Sequence, residues 1–380
     1  MDNVSLYAVG DVAAFREDPE TMFTHTASIL NQADILFFQN ERHYTTHTTW
    51  LPDVSHTEVV PPQNAEVLRA VKWDVASFAG NHSMDLGFDA LLDTCNVLKG
   101  MGIQVIGAGS NIEEARRPAI VERKGVKVGF LAYASVIRPG AAAGTAKPGL
   151  APMRAWTSYN PVLSWNPGSE AEIHTWPNRE DLAAMVEDIR KLRPRVDVLV
   201  LSMHWGLVRK PVVLAEYQPD MAHAAIDAGA DIILGHHPHI LKGIEAYKGK
   251  VIFYSISHFA FDCSGEVREE WARHRPEENA FRARFHQFGE QLDPEWQNSK
   301  FAYPADHRKS MIVKVAVSSK GIEKVSFLPV LINKEAQPVV MRQKDAAFGE
   351  IVEYLDRISK EAGLDASLSP EGDEVVVRTE

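Results

Sequence analysis

The chain has 380 residues, of which 45% are hydrophobic and 24% are charged, and its formal net charge is −11. This composition is typical of a globular protein with a sizeable core, and the negative charge argues against nucleic-acid binding. The sequence contains no run of about 18 apolar residues, so no membrane span is predicted. Residues 1–6 show no signal-peptide pattern, and the two cysteines, Cys95 and Cys263, do not make a disulfide framework. We therefore expect a cytoplasmic protein.

Short apolar strands alternate with helices in the first third of the chain. Strands are predicted at 4–9 and 33–38, and helices at 19–32 and 61–73, each beginning near a proline. The first strand ends at Gly10-Asp11, and Glu41 follows the second. Ligands of α/β proteins bind beyond such strand ends. Taken singly, Asp11 could equally be a turn residue and Glu41 a salt-bridge partner.

A third strand, predicted at 74–78, leads into a polar loop that opens a helix running to about residue 99. This loop carries Asn81, His82 and Asp85. The Asn81 side-chain oxygen could ligate a metal and His82 could donate a proton. Asp85 could orient His82, cap the following helix, or do both.

The middle of the chain changes pattern. Two consecutive strands are predicted between 118 and 134, which indicates a mixed sheet. The segment at about 137–178 is rich in Pro, Gly, Ala and Trp, and we interpret it as an excursion near the site. Its large aromatic residues could line a substrate pocket or form a small satellite core: Trp156, Tyr159, Trp165 and Trp176.

The strongest local pattern is Gly235-His236-His237-Pro238-His239, which follows a buried strand at 231–234. Gly235 is expected to let the backbone turn sharply. Residues two apart in an extended segment face the same way, so His237 and His239 should converge while His236 faces away. Two convergent imidazoles at a strand end predict a metal site. An earlier strand, predicted at 196–201, likewise leads to His204-Trp205-Gly206.

The last third contains a late strand followed by Ser257-His258-Phe259 and a second excursion at about 263–307. This excursion is rich in arginine and glutamate, so it could help to bind an anionic substrate or could be a solvated charged helix. A C-terminal helix and tail are predicted at about 343–380. We expect a single domain that spans 1–380.

Together, the strand-end residues resemble the motifs of the calcineurin-like metallophosphatase superfamily, and most closely its CapA branch, the poly-γ-glutamate capsule biosynthesis proteins. The resemblance covers roughly 4–135 and 179–330. It implies a four-layer αββα sandwich, in which two mixed sheets are flanked by helices. Three positions depart from the motifs. Ala13 stands where phosphatases proper carry a His, Glu41 where they use Asp, and Ser257-His258-Phe259 where the branch has Gly-Asn-Phe. These departures predict that one metal position is poor in ligands.

The resemblance also implies roles for the site residues. Glu41 would bridge two metals, with Asp11 and His239 completing one position and a second set completing the other: Asn81, His204 and His237. This mixed nitrogen and oxygen set suits one or two divalent ions of Mn, Fe, Zn or Co. His82 is the predicted general acid, oriented by Asp85. The predicted substrate contacts are His258, Trp205 and Arg209, and the substrate is a small or peptidic anion.

Three functions remain open at this stage. The first is hydrolysis of a phosphoester or amide-like bond by a metal-activated water. The second is a non-hydrolytic isomerase or epimerase that acts on a carbon acid, with His82 or His258 moving the proton. The third is an accessory protein of poly-γ-glutamate synthesis that binds without catalysis.

Overall fold

The computed structural model describes residues 3–16, 18–49, 51, 54, 58–264 and 293–379. The strands in this part of the chain are β1 Val4–Ala13, β2 Ile35–Asn40, β3 Val75–Ser77, β4 Gln104–Ile106, β5 Ala108–Gly109, β6 Ala119–Arg123, β7 Val126–Ala134, β8 Gly149–Leu150, β9 Ala155–Pro161, β10 Ala171–Pro177, β11 Val198–His204, β12 Ile232–His236, β13 Ile244–Tyr247, β14 Lys250–Phe253, β15 His258–Phe261, β16 Lys309–Ser318, β17 Gly321–Ile332, β18 Pro338–Val340, β19 Ser367–Glu371 and β20 Glu374–Arg378.

The α-helices in the described residues are α1 Ala27–Leu30, α2 Gly87–Gly100, α3 Ile112–Ala115, α4 Arg179–Leu192, α5 Tyr217–Ala228 and α6 Ala346–Glu361. Short 3₁₀ helices occupy Pro19–Thr21, Pro62–Ala70, Arg193–Arg195, Pro294–Trp296 and Ala305–Arg308. None of the described helices is both long and apolar enough to cross a bilayer.

Two mixed sheets form the body of the protein. The larger has the order β19-β20-β17-β16-β1-β2-β3-β4, with β15 also pairing with β1 and β18 with β17. The smaller has the order β13-β14-β12-β11-β7-β6, and its four middle strands run parallel. In the larger sheet, β1 to β4 are parallel to one another. The carboxyl ends of the parallel strands therefore gather at one edge of each sheet.

The main core lies between the two sheets, where Leu6 and Phe37 of the larger sheet join Phe130 and Val200 of the smaller in one buried cluster. Alternate residues of β1 face opposite sides, as strand geometry requires, so Val9 belongs to a second cluster on the outer face. Short helical segments cover that outer face, and α4 and α5 cover the outer face of the smaller sheet. Two mixed sheets flanked by helices were expected, and this architecture is confirmed.

Two predicted helices are much shorter than expected. The segment predicted as a helix at 19–32 forms only Pro19–Thr21 and α1. Threonine hydroxyls in this segment bond to backbone carbonyls, with Thr24 Oγ1 2.7 Å from the Thr21 oxygen, and such local bonds compete with helix formation. The segment predicted as a helix at 61–73 is the 3₁₀ helix at Pro62–Ala70.

The first excursion contains the hairpin β9–β10. Trp156 and Trp176 are opposite each other in its register but remain 56% and 44% exposed. Trp165 and Tyr159 are 78% and 68% exposed, so the four aromatic residues do not form a satellite core. Trp156 instead lines a cleft together with Arg138 and Arg154.

The second excursion is described only in part, because 265–292 lies outside the described residues. The returning chain packs on the body: Phe301 and Tyr303 form a buried cluster with Ala13 and Phe261. The helix predicted within the C-terminal segment at about 343–380 is α6, and its Phe348 joins the core between the sheets. The single-domain organisation over 1–380 stays a prediction.

Candidate metal centre

The polar strand-end residues meet where the carboxyl ends of the two sheets face each other. Asp11 lies within β1, which extends to Ala13 and so runs past the end predicted at residue 9. The other contributors follow or end parallel strands: Glu41 after β2, Asn81 after β3, His204 at the end of β11, His237 and His239 after β12. The parallel arrangement explains why residues from distant parts of the sequence reach one place.

Asp11 occupies the middle of this cluster and is fully buried. Its Oδ2 lies 3.3 Å from His239 Nδ1, and its Oδ1 lies 3.6 Å from His236 Nδ1. Two groups of three side chains offer possible ligand atoms within 4.8 Å of one another, and Asp11 belongs to both: Asp11, Glu41 and His204, and Asp11, His239 and His258. Asp11 is thus the residue shared by both groups. The bridging role of Glu41 stays a prediction.

Asn81 holds a second part of the site together. Its Oδ1 lies 2.7 Å from His204 Nε2 and 3.1 Å from His237 Nδ1. The other ring nitrogen of His204 lies 3.8 Å from Glu41 Oε2. The three side chains that the resemblance groups into one metal position are thus neighbours in the structure.

The backbone of the histidine motif differs from the extended segment assumed for the sequence. His237 and His239 have φ angles of 92° and 60°, in the left-handed region that bulky residues avoid. His236 still belongs to β12 and faces Asp11, so the expectation that it points away was wrong. Such strain is of order 1–3 kcal/mol per residue and persists only where the surrounding structure enforces it.

Gly235 serves a different purpose from the sharp turn that was expected. It lies inside β12, and a Cβ atom added there would come 2.2 Å from the carbonyl oxygen of Tyr254. The glycine therefore permits a close approach of two backbones directly behind the histidines.

The pKa values of the two central carboxylates are shifted in opposite directions. Burial acts to raise the pKa of Asp11, but the imidazoles of His236 and His239 hold it well below its usual value. Burial raises the pKa of Glu41 well above its usual value, and the negative charge of Asp11 raises it further. Two close carboxylates disfavour joint ionisation, and a divalent cation between them would allow both to ionise.

The histidines of the site favour the neutral form that binds metals. Burial lowers the pKa of His237 to about 3, with a further contribution from His239. Burial and the neighbouring His237 also hold the pKa of His204 well below its usual value. The same direction applies to His239 and His258, again mainly because of burial.

Several of these groups lack hydrogen-bond partners among the described residues. These atoms are both carboxylate oxygens of Asp11 and Glu41, Nδ1 of His204 and His239, and both ring nitrogens of His258. Burying polar atoms without partners is unfavourable. Carboxylate oxygens and imidazole nitrogens that converge in this way fit a divalent transition metal, which would satisfy them together.

His82 and Asp85 form a pair beside the cluster. His82 Nδ1 lies 2.6 Å from Asp85 Oδ2, and Asp85 Oδ1 accepts a hydrogen bond from Arg138 Nε at 3.0 Å. Burial acts to raise the pKa of Asp85, but His82 and then Arg138 lower it to about 2. The helix cap considered for Asp85 is absent, because Leu86 is the N-cap residue of α2 and no side chain caps it.

The three predicted substrate contacts lie in different environments. Trp205 is fully buried, stacks on Tyr254 at 5.7 Å and donates from Nε1 to the Tyr254 carbonyl at 3.0 Å, so it packs in the core and offers no surface to a substrate. His258 is also fully buried and stacks on His239 at 4.5 Å. Arg209 is partly exposed in the loop after β11, and its backbone N–H contacts the Pro238 carbonyl at 3.4 Å.

Sequence reasoning missed two groups near the site. Arg138 follows the end of β7, another parallel strand, so its position after a strand end could have indicated it. Arg42 directly follows Glu41, is buried, and pairs with Glu58 at 3.3 Å while lying over the rings of Phe15 and Phe261. Its charge balances part of the negative charge of Glu41.

Comparisons with known proteins agree with the resemblance seen in the motifs. A family model described as bacterial capsule synthesis protein PGA_cap matches residues 5–263. The PGA biosynthesis protein CapA of Bacillus subtilis (strain 168) is 27% identical over 292 residues, which cover 72% of this chain and 66% of that protein. A probable polyglutamine synthesis accessory protein of Mycobacterium tuberculosis is 33% identical over 208 residues, covering 54% and 49%. The chain thus spans between about half and two thirds of these relatives.

One of the solved structures that match is that of a hypothetical protein from Thermus thermophilus. It aligns with a TM-score of 0.45 and 14% identity over 86% of this chain and 98% of that chain. The family model covers well over half of the sequence, and the family falls within the metallophosphatase-like superfamily. On this match, the chain belongs to the bacterial capsule synthesis protein PGA_cap family.

Proposed function

We propose that this protein is a metal-dependent hydrolase that cleaves a phosphoester or amide-like bond in a small or peptidic anionic substrate. The observation that carries the proposal is the convergence of unpartnered carboxylate and imidazole atoms beside the His82–Asp85 pair. The residues that would hold one or two ions of Mn, Fe, Zn or Co are Asp11, Glu41, Asn81, His204, His237 and His239. When bound, a divalent metal supplies Lewis acidity that makes water a better nucleophile and polarises the bond to be cleaved.

His82 acts as the general acid in this proposal. Its Nδ1 is engaged by Asp85, which leaves Nε2 to give a proton to the leaving group. Asp85 fixes the orientation of the ring and is itself held by Arg138. The His82 side chain is 21% exposed, so a substrate can reach it, whereas the fully buried His258 is poorly placed to contact one.

Positive charge near the site supports an anionic substrate. Arg209 contacts the histidine loop through its backbone N–H, and Arg138 lines the cleft that Trp156 borders. Arg154 lines the same cleft, with its guanidinium bound to Asp181. Guanidinium groups suit carboxylate and phosphate because they bind both oxygens in a planar fork. The relative named PGA biosynthesis protein CapA favours a substrate that carries glutamate-like carboxylates.

A second candidate is an accessory protein of poly-γ-glutamate synthesis that binds without catalysis. The mycobacterial relative is named a probable polyglutamine synthesis accessory protein. The isomerase alternative would have to move the substrate proton through His82, because the buried His258 has no solvent-facing surface. An ordered His82–Asp85–Arg138 chain favours catalysis over binding alone, since a binding role needs no oriented proton donor.

Metal analysis and a substrate screen test the proposal. The purified protein should contain Mn, Fe, Zn or Co by mass spectrometry of the dissolved metal, and the double variant His204→Ala/His239→Ala should lose it. His223→Ala is the matched control, because this histidine pairs with Glu245 at 2.7 Å outside the cluster. Unchanged metal content in the double variant would refute the metal centre.

The role of His82 is tested separately. His82→Asn should retain the metal and lose at least about 100-fold in turnover of a phosphoester or γ-glutamyl substrate, the usual size of a general-acid contribution. Loss of metal from this variant would instead show that His82 is a ligand. A protein that binds metal but turns over none of the screened substrates would favour the accessory role.

A further inference from the structure

The start of β15 lies unusually close to β1 at the point where β1 carries Asp11. The two strands are parallel, and Asp11 is opposite His258 in their register. The Asp11 N–H donates to the Ser257 carbonyl at 3.1 Å. A Cβ atom at Gly10 would come 1.9 Å from that same carbonyl oxygen, so only glycine allows this approach. The glycine at position 10 thus allows His258 to lie beside the Asp11 carboxylate.

His258 is in reach of the same point as two other candidate ligands. Its imidazole stacks on His239, with ring centroids 4.5 Å apart and planes within 16° of each other. One ligand atom from each of Asp11, His239 and His258 lies within 4.8 Å of the other two. Ligand atoms on one transition metal each lie about 2.0–2.2 Å from the ion, so two of them are at most about 4.4 Å apart. Three atoms within 4.8 Å of one another therefore need only small shifts to share one ion.

We propose that His258 is a metal ligand, which completes with Asp11 and His239 one metal position beside the one served by Asn81, His204 and His237. The inference rests on the proposed metal-dependent function and adds a protein ligand that belongs to this position alone. It replaces the substrate contact predicted for His258.

The neighbour of Asp11 on the same strand face explains why this ligand is needed. Ala13 lies two residues after Asp11, so it faces the same side of β1. Its methyl group is buried among Phe261, Phe301 and Tyr303 and offers no donor atom. Without His258, this position would have only Asp11, His239 and the shared Glu41 from the described cluster. The residue from β15 supplies the nitrogen that β1 lacks.

A purely packing role explains the surroundings of His258 less well. The ring lies against Phe261 at 4.4 Å and Tyr303 at 4.9 Å, which is an environment suited to phenylalanine. Both ring nitrogens are buried without a hydrogen-bond partner among the described residues. A buried imidazole without partners is unfavourable relative to a benzyl group of similar shape. A metal contact gives a reason for nitrogen at this place.

The test compares His258→Phe with the wild-type chain, both stripped of metal and titrated with Co²⁺. Phenylalanine keeps the aromatic packing and removes both nitrogens. Losing a residue that merely supports a ligand typically lowers metal affinity ~10- to 100-fold, so we expect His258→Phe to weaken binding of one Co²⁺ ion at least about 100-fold. The visible absorption of bound Co²⁺ should change as well, because the ion loses a nitrogen ligand.

Thermal unfolding without metal distinguishes a ligand from a packing residue. If His258 is a ligand, metal-free His258→Phe should be at least as stable as metal-free wild type, while Co²⁺ should stabilise the variant less than the wild type. The matched control is His307→Phe, because His307 is buried in the same aromatic cluster, 5.9 Å from His258 between ring centroids. The control should bind Co²⁺ as the wild type does.

The outcomes separate this inference from the proposed function. Wild-type affinity and an unchanged absorption spectrum in His258→Phe would overturn the ligand role and leave the metal centre intact. A large loss of stability in the metal-free variant, with Co²⁺ affinity retained in the folded fraction, would show a packing role. Failure of the wild-type chain to bind Co²⁺, Mn²⁺ or Zn²⁺ would overturn both.

Discussion

Replacing Asp85 with asparagine tests how strongly the His82–Asp85–Arg138 chain is built into the fold. The carboxylate is buried, contacts His82 at 2.6 Å and Arg138 at 3.0 Å, and its pKa is lowered from 3.8 to about 2. A shift of that size corresponds to roughly 2.5 kcal/mol of stabilisation of the charged form. We therefore expect Asp85→Asn to lower the free energy of unfolding by about 2–3 kcal/mol at pH 7.

The same shift predicts how the difference depends on pH. A depressed carboxyl pKa stabilises the folded state above the unfolded pKa of 3.8, and this stabilisation is lost as pH falls through about 2. At pH 3 the unfolded carboxyl is mostly protonated and the folded one is still mostly charged. The difference in free energy of unfolding between wild type and Asp85→Asn should therefore be smaller at pH 3 than at pH 7 by roughly 1 kcal/mol.

Urea unfolding followed by tryptophan fluorescence measures both quantities. Each chain is unfolded at pH 7, 5, 4 and 3 without metal, so that metal release does not contribute. Glu187→Gln is a matched control, because this carboxylate is on the surface and pairs with Lys191 in the same helix. If the difference in free energy of unfolding is absent at pH 7, or stays constant down to pH 3, the proposed role of the charged Asp85 between His82 and Arg138 is refuted.

Three further changes follow from the packing around the site. Gly10→Ala should abolish or strongly weaken metal binding and lower the melting temperature, because its Cβ would collide with the Ser257 carbonyl, whereas Gly349→Ala in α6, with nothing within 4 Å, should be neutral or stabilising. Equal melting temperatures for the two alanine variants would contradict this. Trp205→Ala should lower the free energy of unfolding by about 3–5 kcal/mol, as for other buried tryptophans; a change under ~1 kcal/mol in urea unfolding would show that the indole is not part of the core. Trp165→Ala should change the free energy of unfolding by less than about 0.5 kcal/mol, since the ring is 78% exposed. A larger loss would mean that this ring packs against other residues.

The general location of the site could be predicted from the sequence because it depends on few assumptions. Apolar strands ended in Asp11, Asn81 and His204, and parallel strand ends gather at one edge of a sheet. No side-chain detail was needed to expect these residues together. The pairing of His82 with Asp85 was equally local, since the two are three residues apart and their side chains meet across one turn of chain.

Side-chain directions could not be predicted where the backbone leaves regular geometry. His236 was expected to face away because His237 and His239 were treated as part of an extended strand. Both have positive φ angles, so the two-residue alternation does not hold there. Such angles persist only where the surrounding structure enforces them, and no local sequence rule predicts them.

Contacts between segments that are distant in sequence were the other source of error. Trp205 follows a strand end just as His204 does, but its indole turns into the core to meet the Tyr254 carbonyl. His258 and Asp11 become partners only because β15 joins β1. Helices predicted from proline and apolar spacing, as at 19–32, failed where threonine hydroxyls bond to the backbone instead.

The position of β1 in the larger sheet has a consequence for the order of events during synthesis. This first strand pairs with β2 soon after it is made, but its antiparallel neighbour β16 begins only at Lys309. Asp11 also receives His258 only after β15 has been made. Contacts between such distant segments form late, because closing long loops is entropically unfavourable. The proposed metal centre is therefore incomplete until β15 and β16 have been made, and we expect metal loading to follow their synthesis.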